Sequence, residues 1–513
     1  MLAVSSARVA ALVLISSARS EYQRPGGLEC VEERRPKWTK HRISTFTMTT
    51  HRTQSTVLLL ALALSACSAI PNFSGPTIPS MVPDMDIRQR HAVRLGGAHG
   101  PLSDAQSKSV LARLEMDGVE TNIFNRHLAL EAAIVGSPLV VGNRIDLLED
   151  GPVTYAAMLA AIDQAHDHIN IETFIMEDDL IGREFATRLC AMQQRGVQVN
   201  LIYDSVGSRN TPAEFFDALA SSGVNVLQFN PINPLLAGKD WDVVRRDHRK
   251  LLIVDGKVAF VGGLNISSVY SSGSSGKAKS RNANTSWRDT HLRVEGPAVS
   301  EFQKLFMATW TEQQAVPLTT GDYFPALTQQ GSDVVRAIGS SPEEPFSQIF
   351  ATLLSAIDSA ETRIFLTNAY FVPDPQLLWA LKRAVARGVD VRLLLPHKTD
   401  SALVFHASRS FFTELLESGV AIYEQQDAVL HAKTALIDGV WSTIGSTNLD
   451  WRSFVYNQEI NAVVLGQAFG TQMQAMFERD LASSQRVNLA QWRRRPVAAR
   501  MKENLARLWA RWL

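Results

Sequence analysis

The 513-residue chain is poor in three features that would place it in a special class of protein: cysteine, long apolar runs and charge of one sign. Its three cysteines, Cys30, Cys67 and Cys190, are too few for a disulfide framework. Its longest apolar run, from Val57 to Leu64, is far shorter than the roughly 20 residues of a transmembrane helix, which excludes a polytopic membrane protein. Lys plus Arg and Asp plus Glu both number 51, which argues against a strongly basic nucleic-acid binder.

The remaining composition is that of an ordinary globular protein. Hydrophobic residues make up 45% of the chain and charged residues 20%. At about 150 residues per domain, the length suggests roughly three domains or two larger ones. A chain of this size can bury a large core, so packing rather than covalent cross-links must hold it together.

The segment before residue 68 reads as a targeting signal. A short positive region precedes the apolar run, and the small residues Ser65, Ala66 and Cys67 follow it, so that the run ends in Leu64-Ser-Ala-Cys67. This ending resembles a bacterial lipobox, in which the cysteine becomes the lipidated N-terminus. We therefore predict that residues 1–66 are an upstream extension and a lipoprotein signal, with lipidation at Cys67. An ordinary signal or anchor is the alternative, because the stretch from Val9 to Ile15 is also apolar.

A tether and a helical extension are predicted to follow over residues 67–137. Residues 68–85 carry several Pro and Ser, as flexible linkers do, whereas 104–135 look helical. A lipidated Cys67 would place the protein in the bacterial cell envelope, facing the periplasm. Ser68, in place of an acidic residue, weakly favours the outer membrane.

From residue 138 onward the chain contains an internal repeat. Each copy reads strand, helix, strand, helix, strand, with Gly ending each helix, which predicts an α/β fold with a helix-covered sheet. We place the copies at 138–310 and 335–485, with a linker at 311–334. The matching segments are 169–175 with 363–371, 195–203 with 387–395, and 214–224 with 410–420.

Each copy ends in the same motif, His-x-Lys-x4-Asp-x6-Gly-(Gly/Ser)-x-Asn. Two copies at matching places in a repeat are a specific signal rather than a chance match. The motif residues are His248, Lys250, Asp255, Gly262, Gly263 and Asn265 in the first copy, and His431, Lys433, Asp438, Gly445, Ser446 and Asn448 in the second.

The spacing of the motif has a chemical meaning. Side chains alternate along a strand, so the His and Lys of each motif point to the same side. Asp-Gly is a hairpin-turn dipeptide, which returns the chain to the small residues and the Asn. A phosphodiester needs a nucleophile, a proton donor and positive groups on its oxygens, and paired His, Lys and Asn supply these without a metal or cofactor. Asp255 and Asp438, at the turns, are predicted to be structural.

These motifs resemble those of the phospholipase D superfamily and, more narrowly, of bacterial cardiolipin synthases, over about residues 120–490. Further support comes from 246–256, 287–297, 368–374 and 430–433. The resemblance implies two homologous α/β/α sandwich domains related by a pseudo-two-fold, with one active site at their interface. It also implies that one histidine forms a covalent phosphatidyl-enzyme and that the other is the acid and base.

The resemblance further implies an acidic residue beyond each motif that orients the ring of that motif's histidine. By position these are Glu459 and Asp289; the alternative is that both are solvated strand ends. The first copy also has an insertion from Ser267 to Ser286. It reads either as a mobile surface loop or as a lid that contacts phospholipid through Lys277, Lys279 and Arg281.

The C-terminal segment, 486–513, is predicted to be a basic amphipathic helix. Its last 21 residues hold seven Lys and Arg against one Glu. The spacing suits either an anionic membrane surface or docking on the enzyme itself. The residues predicted to share its apolar face are Leu505, Leu508, Trp509, Trp512 and Leu513.

The resemblance implies a phosphatidyltransferase that joins two phospholipids, with phosphatidylglycerol as donor, and the balanced charge predicts no nucleic-acid partner. As the resemblance implies, His248 attacks the phosphorus and His431 is the acid and base, although the sequence does not exclude the reverse order. The alternatives are a phospholipase D-type hydrolase, a nuclease and, least favoured, a non-catalytic envelope scaffold.

Overall fold

The computed structural model describes residues 93–116, 121–233, 242, 244–273, 286–313, 315–319 and 321–513. The predicted signal, the lipidation site Cys67 and the tether lie outside the described residues. So do Lys277, Lys279 and Arg281 of the predicted lid. Among the described residues, no helix is both long enough and apolar enough to cross a membrane.

The described part of the N-terminal extension is largely helical. A π-helical turn, Ile123–His127, leads into its second helix. Its elements are β1 Leu95–Gly97, β2 Gly100–Pro101, α1 Asp104–Met116 and α2 Leu128–Ile134.

The two copies of the repeat have the same succession of main elements. The first consists of β3 Leu139–Glu149, α3 Asp150–Asp163, β4 His168–Thr173, α4 Leu180–Gln194, β5 Gln198–Asp204, α5 Ala213–Ser221, β6 Asn225–Phe229, β7 Arg246–Asp247, β8 Lys250–Val254, β9 Val258–Gly262, β10 Ser286–Arg288, β11 Thr290–Glu295 and α6 Val299–Glu312. The second consists of β12 Asp333–Ser340, α7 Gln348–Ser359, β13 Arg363–Asn368, α8 Pro375–Ala386, β14 Asp390–Lys398, α9 Ala402–Arg409, α10 Phe412–Glu417, β15 Ala421–Leu430, β16 Lys433–Ile437, β17 Trp441–Gly445, α11 Trp451–Val455, β18 Asn457–Leu465 and α12 Gln467–Ala482.

Seven strands of each copy pair in the same order. Outward from the middle of the sheet, the first copy runs β3, β11, β9, β8, β4, β5, β6. The second copy runs β12, β18, β17, β16, β13, β14, β15. The central strands β3 and β12 pair antiparallel and join the copies. This matching order confirms the predicted α/β fold and is consistent with a pseudo-two-fold.

The motif strands are buried on both faces, which explains why they are continuous apolar runs. Along β8, Leu252 and Val254 pack into a core with the helices α3, α4 and α5. The alternate residues Leu251 and Ile253 pack into a second core, which includes α6 and α12 and contains residues of both copies. Helices therefore cover both sides of the sheet, and the core between the copies fixes how the two motifs meet.

Two predicted boundaries differ slightly from the structure. The linker was expected at 311–334, but α6 continues to Glu312 and β12 begins at Asp333. The connection packs on the first copy, since Tyr323 is buried with its ring 4.5 Å from that of His168. The composition of this segment, which is rich in Gln, Thr and Pro, does not indicate the packing, because the contact depends on the single aromatic residue Tyr323.

The C-terminal segment is less regular than the predicted single helix. Three short elements, β19 Ser484–Arg486, α13 Leu489–Arg493 and α14 Val497–Arg507, precede a 3-10 turn, Ala510–Trp512. Helix α14 packs along α9, and its residues Glu503 and Ala506 are buried. Leu513 is buried, and its carbonyl accepts a hydrogen bond from the Arg452 backbone of α11. The predicted apolar face is therefore divided, because Leu505 and Leu508 stay exposed.

Candidate active site

The two copies exchange strand pairings immediately before each His-x-Lys motif. In the first copy β7 pairs in parallel with β18 of the second, and the His248 amide donates to the Gln458 carbonyl at 2.9 Å. Reciprocally, β15 of the second copy pairs with β10 of the first, and the His431 amide donates to the Arg288 carbonyl at 2.8 Å. Each histidine is thereby held next to the residue that precedes a carboxylate of the other copy.

The resulting histidine–carboxylate pairs are crossed between the copies. The His248 Nδ1 lies 3.0 Å from both carboxylate oxygens of Glu459. The His431 Nδ1 lies 2.7 Å from Asp289 Oδ2. The expectation that each carboxylate orients the histidine of its own motif is therefore wrong. Sequence position alone could not reveal this, because the crossing arises from the exchanged strands.

Burial and charge determine the protonation of these pairs. Burial acts to raise the pKa of Glu459 and of Asp289, but the adjacent histidines and lysines outweigh it, so both pKa values lie below the ordinary range. Burial lowers the pKa of His248 to about 4 against the opposing effect of Glu459, and it also lowers the pKa of His431. A neutral ring that donates its Nδ1 proton to a carboxylate leaves Nε2 with a free lone pair.

Both motif lysines are buried beside their histidines. The Lys250 ammonium donates to the His248 carbonyl at 2.5 Å, and Lys433 donates to the carbonyl of His431. Burial lowers the pKa of Lys250 to about 7 and that of Lys433 to about 8, and each is also influenced by the carboxylates of the crossed pairs. A bound phosphodiester would restore the charged form of both lysines, because it places a negative charge in the dry site.

The two motif asparagines have different surroundings. The Asn265 Nδ2 donates to the Tyr270 hydroxyl at 3.0 Å, and its Oδ1 accepts from the Ile175 amide at 3.2 Å. Its side chain is thus held by the protein. The Asn448 Oδ1 is buried without a hydrogen-bond partner among the described residues. Because an amide oxygen only accepts hydrogen bonds, this atom suits a substrate hydroxyl and not a phosphate oxygen.

The residues at the end of each motif make room for the opposite strand. A Cβ at Gly263 would overlap the Asp289 carboxylate, and one at Gly262 would overlap His291. At Gly445 a Cβ would overlap Asn461. The fourth position, Ser446, instead donates its hydroxyl to Glu459 Oε2. The small residues at the end of each motif therefore make room for the neighbouring strand that carries the carboxylate.

The motif aspartates lie at tight hairpin turns. Asp255 and Gly256 have φ values of 52° and 61°, and Asp438 and Gly439 have values of 52° and 72°, as in a type I′ turn. The Asp255 carboxylate accepts backbone N–H bonds from residues 166–168. That of Asp438 accepts them from 361–363. These contacts fit the predicted structural role, since each aspartate ties its hairpin to the adjacent strand.

The family match with known proteins falls on the same two copies of the repeat. Residues 158–310 and 353–481 match the family described as "Cardiolipin synthase, PLD-like domain". The chain belongs to this family. It is 35% identical over 384 residues to the cardiolipin synthase of Geobacillus kaustophilus, which covers 74% of each chain. It is 36% identical over 375 residues to that of Alkalihalophilus pseudofirmus, over 72% of this chain and 73% of the relative.

A solved structure supports the fold. The phosphatidylserine synthase of Haemophilus influenzae covers 75% of this chain and 99% of its own, with a TM-score of 0.54 and 12% sequence identity. Membership of the cardiolipin synthase family makes the chain an enzyme of the phospholipase D superfamily, of the phosphatidyltransferase type. The described residues contain no cluster of three or more His, Cys, Asp or Glu arranged to hold a metal ion.

Sequence reasoning missed the aromatic residues around the two histidines of this family member. Phe174 lies edge-on to His248, with ring centroids 5.0 Å apart. The His431 ring is 5.4 Å from that of Trp287 and 5.7 Å from that of Tyr270. The Tyr270 hydroxyl also lies 3.4 Å from His431 Nδ1 and so links the first motif to the second. The position of Trp287, two residues before Asp289, is the one feature of the sequence that could have indicated its place in the site.

Proposed function

We propose that the chain transfers a phosphatidyl group from one phosphatidylglycerol to a second, forming cardiolipin and releasing glycerol. The observation that carries this proposal is the pair of crossed histidine–carboxylate contacts, His248 with Glu459 and His431 with Asp289. Two activated imidazoles in one buried site can perform both halves of a double displacement. The names of the relatives support cardiolipin as the product.

In the first displacement, the Nε2 of His248 attacks the phosphorus of phosphatidylglycerol. The bond from phosphorus to the glycerol oxygen breaks, and the departing oxygen takes the Nε2 proton of His431, which enters this step as an imidazolium stabilised by Asp289 and leaves it as a neutral ring. The product of this step is a phosphatidyl group bound covalently to His248. The ammonium groups of Lys250 and Lys433 would stabilise the negative charge on the non-bridging oxygens.

In the second displacement, His431 removes a proton from a primary hydroxyl of another phosphatidylglycerol. The resulting oxygen nucleophile attacks the phosphorus and forms the new ester bond, while the phosphorus–nitrogen bond breaks. His248 is released as a neutral ring that again donates its Nδ1 proton to Glu459. Protons and charges balance over the cycle, and no cofactor takes part.

The surroundings of His248 support it as the nucleophile. Burial lowers its pKa to about 4, so the ring is neutral at physiological pH and has a lone pair at Nε2. Both oxygens of Glu459 contact its Nδ1, which fixes the ring and stabilises positive charge as the phosphorus–nitrogen bond forms. The Nδ1 of His431 contacts Asp289, whose carboxylate stabilises the imidazolium that a proton donor requires.

Expression in bacteria that lack cardiolipin tests this function. Lipid extracts of cells that make the wild-type protein are expected to contain cardiolipin, whereas those with His248→Ala or His431→Ala are expected to contain none. Release of phosphatidic acid without cardiolipin would instead identify a hydrolase. Accumulation of nucleotides from nucleic acid would identify a nuclease.

We also propose that α14 and the residues after it lie on an anionic membrane surface. Val497, Met501, Leu505 and Leu508 lie three or four residues apart and are exposed by 69%, 59%, 60% and 61%. Exposed basic residues flank this apolar stripe, including Arg493, Arg494, Arg500, Lys502 and Arg507. An exposed apolar stripe beside basic groups suits insertion at the level of anionic headgroups.

Binding to vesicles tests the membrane proposal. The double variant Met501→Glu, Leu505→Glu is expected to lose most of its binding to phosphatidylglycerol vesicles, while Val316→Glu, at a still more exposed position in the connecting segment, serves as the control. Equal binding by both variants would contradict the proposal. The anchor at Cys67 is a separate proposal, tested by labelling with radioactive fatty acid and a Cys67→Ala control.

A further inference from the structure

Two buried arginines contact the backbone of the histidine-orienting carboxylates, and the mechanism gives neither of them a role. Arg249 lies between His248 and Lys250 in the first motif, and Arg288 immediately precedes Asp289. Both are almost fully inaccessible to solvent. A buried guanidinium is costly unless its N–H groups and its charge find partners, so the choice of partners shows what the residue holds in place.

Arg249 joins the two copies at the backbone of Glu459. Its Nε donates to the Glu459 carbonyl at 3.1 Å, and its Nη1 donates to the Thr309 hydroxyl of α6 at 2.8 Å. Its Nη2 lies 3.5 Å from the carbonyl of Ser340, the register partner of Glu459 in β12. The Glu172 carboxylate, 3.7 Å from Nη1, balances the charge.

Arg288 makes the corresponding connection at Asp289. Its Nε and Nη2 donate to the two carboxylate oxygens of Asp480 in α12, at 2.9 and 3.0 Å. Its Nη1 donates to the carbonyl of Asp289 and to the Thr290 hydroxyl. Its own carbonyl accepts the amide of His431 at 2.8 Å. One residue thus holds both members of the second histidine–carboxylate pair.

The repeat itself does not require these arginines. The position of Arg249 in the second motif is occupied by Ala432, and the position of Arg288 by Gln458. Both guanidinium groups therefore come from the first copy, although they serve carboxylates of different copies. What they share is the atom they hold, the carbonyl oxygen of the residue whose side chain orients a histidine.

We propose that Arg249 and Arg288 are positioning residues that fix Glu459 and Asp289 against His248 and His431. Catalytic groups must be held within about 0.5 Å of their productive geometry, and a planar guanidinium can bridge several fixed acceptors at once. Lysine keeps the charge but cannot reproduce the fork. The inference rests on the proposed roles of the two histidines.

The variants Arg249→Lys and Arg288→Lys test this inference through pH–rate profiles of the purified full-length enzyme on phosphatidylglycerol vesicles. Each is expected to lower kcat about 10- to 100-fold, as for other groups that orient a catalytic side chain, with KM nearly unchanged. The control is Arg293→Lys, a half-buried arginine of β11 that pairs with Asp146 and Glu295. It is expected to behave as wild type.

The two variants should move opposite limbs of the profile. If Glu459 drifts away from His248, the histidine pKa falls, and the acid limb of the profile moves to lower pH. If Asp289 drifts away from His431, the proton donor is lost earlier, and the alkaline limb moves to lower pH. The other charged groups acting on the two rings, Lys250, Lys433 and Asp400, are present in every variant.

A merely structural role for the arginines would lower the melting temperature and the yield without moving either limb, and that result would overturn the inference. If a lysine variant does not fold, Thr309→Val and Asp480→Asn remove one anchor of each guanidinium and should shift the same limbs by less. Each rate is expressed as a ratio to the wild-type rate and is measured for whichever product the enzyme forms. A failure of the cardiolipin proposal would appear in the wild-type product and leave this test intact.

Discussion

The surroundings of His248 and His431 differ although the two motifs are copies of one another. The carboxylate of Glu459 contacts His248 through both oxygens and is itself held by Ser446 and by the Asn457 amide. The shorter Asp289 contacts His431 through one oxygen. What the two sites have in common is the set that a double displacement requires: a histidine, a carboxylate and a lysine. What differs is the set of Nδ1 neighbours, which at His248 are two oxygens of one carboxylate and at His431 are a carboxylate oxygen, the Lys433 Nζ and the Tyr270 hydroxyl.

Removing the charge of either histidine-orienting carboxylate should cause the largest loss of turnover. Glu459→Gln and Asp289→Asn are each expected to lower turnover about 10²- to 10⁴-fold, because the neutral amide no longer stabilises the imidazolium or fixes its tautomer. Initial rates of cardiolipin formation on vesicles provide the measurement. If either variant keeps near wild-type turnover, the carboxylate concerned does not orient a histidine.

Substitutions at the position after the first glycine of each motif should lower turnover by different amounts in the two copies. Gly263→Ala forces a methyl group against Asp289 and is expected to reduce turnover about 100-fold, since the carboxylate must move. Ser446→Ala removes only one hydrogen bond to Glu459 and should cost about tenfold, which corresponds to 1–2 kcal/mol. Equal losses in the two variants, with unchanged melting temperatures, would contradict the difference between the sites.

The sequence was sufficient to predict the repeat, the α/β fold and the motif residues, because strand alternation and an Asp-Gly turn are local features. It could not predict the crossed pairing, which depends on β7 and β10 each joining the opposite copy. It also missed Phe174 and Tyr270, because each contacts a histidine that is distant from it in the sequence, His248 and His431 respectively. The C-terminal helix was expected to place Leu513 on the Leu505 face, but the chain turns after Arg507 and buries Leu513.

The pH dependence of stability tests the surroundings of His248 without a measurement of turnover. Burial lowers the pKa of His248 to about 4, so between about pH 6.5 and 4 the unfolded chain binds a proton that the folded chain does not. Acidification through this window therefore destabilises the fold, by about 1–3 kcal/mol from this group, and the loss levels off below pH 4. Denaturant unfolding of wild type and His248→Gln should diverge as the pH rises from 4 to 7. Parallel curves would show that the ring is not buried in its neutral form.

Trapping the covalent intermediate tests the central claim most directly. A phosphatidyl ester of p-nitrophenol has a leaving group that needs no proton, so the first displacement can proceed without His431, while the second lacks its base. With His431→Ala we expect a burst of nitrophenolate and, by mass spectrometry after neutral denaturation, a phosphatidyl group on His248. With His248→Ala we expect no adduct. An adduct on His431 in the second variant, or none in either, would contradict the division of roles between the two copies.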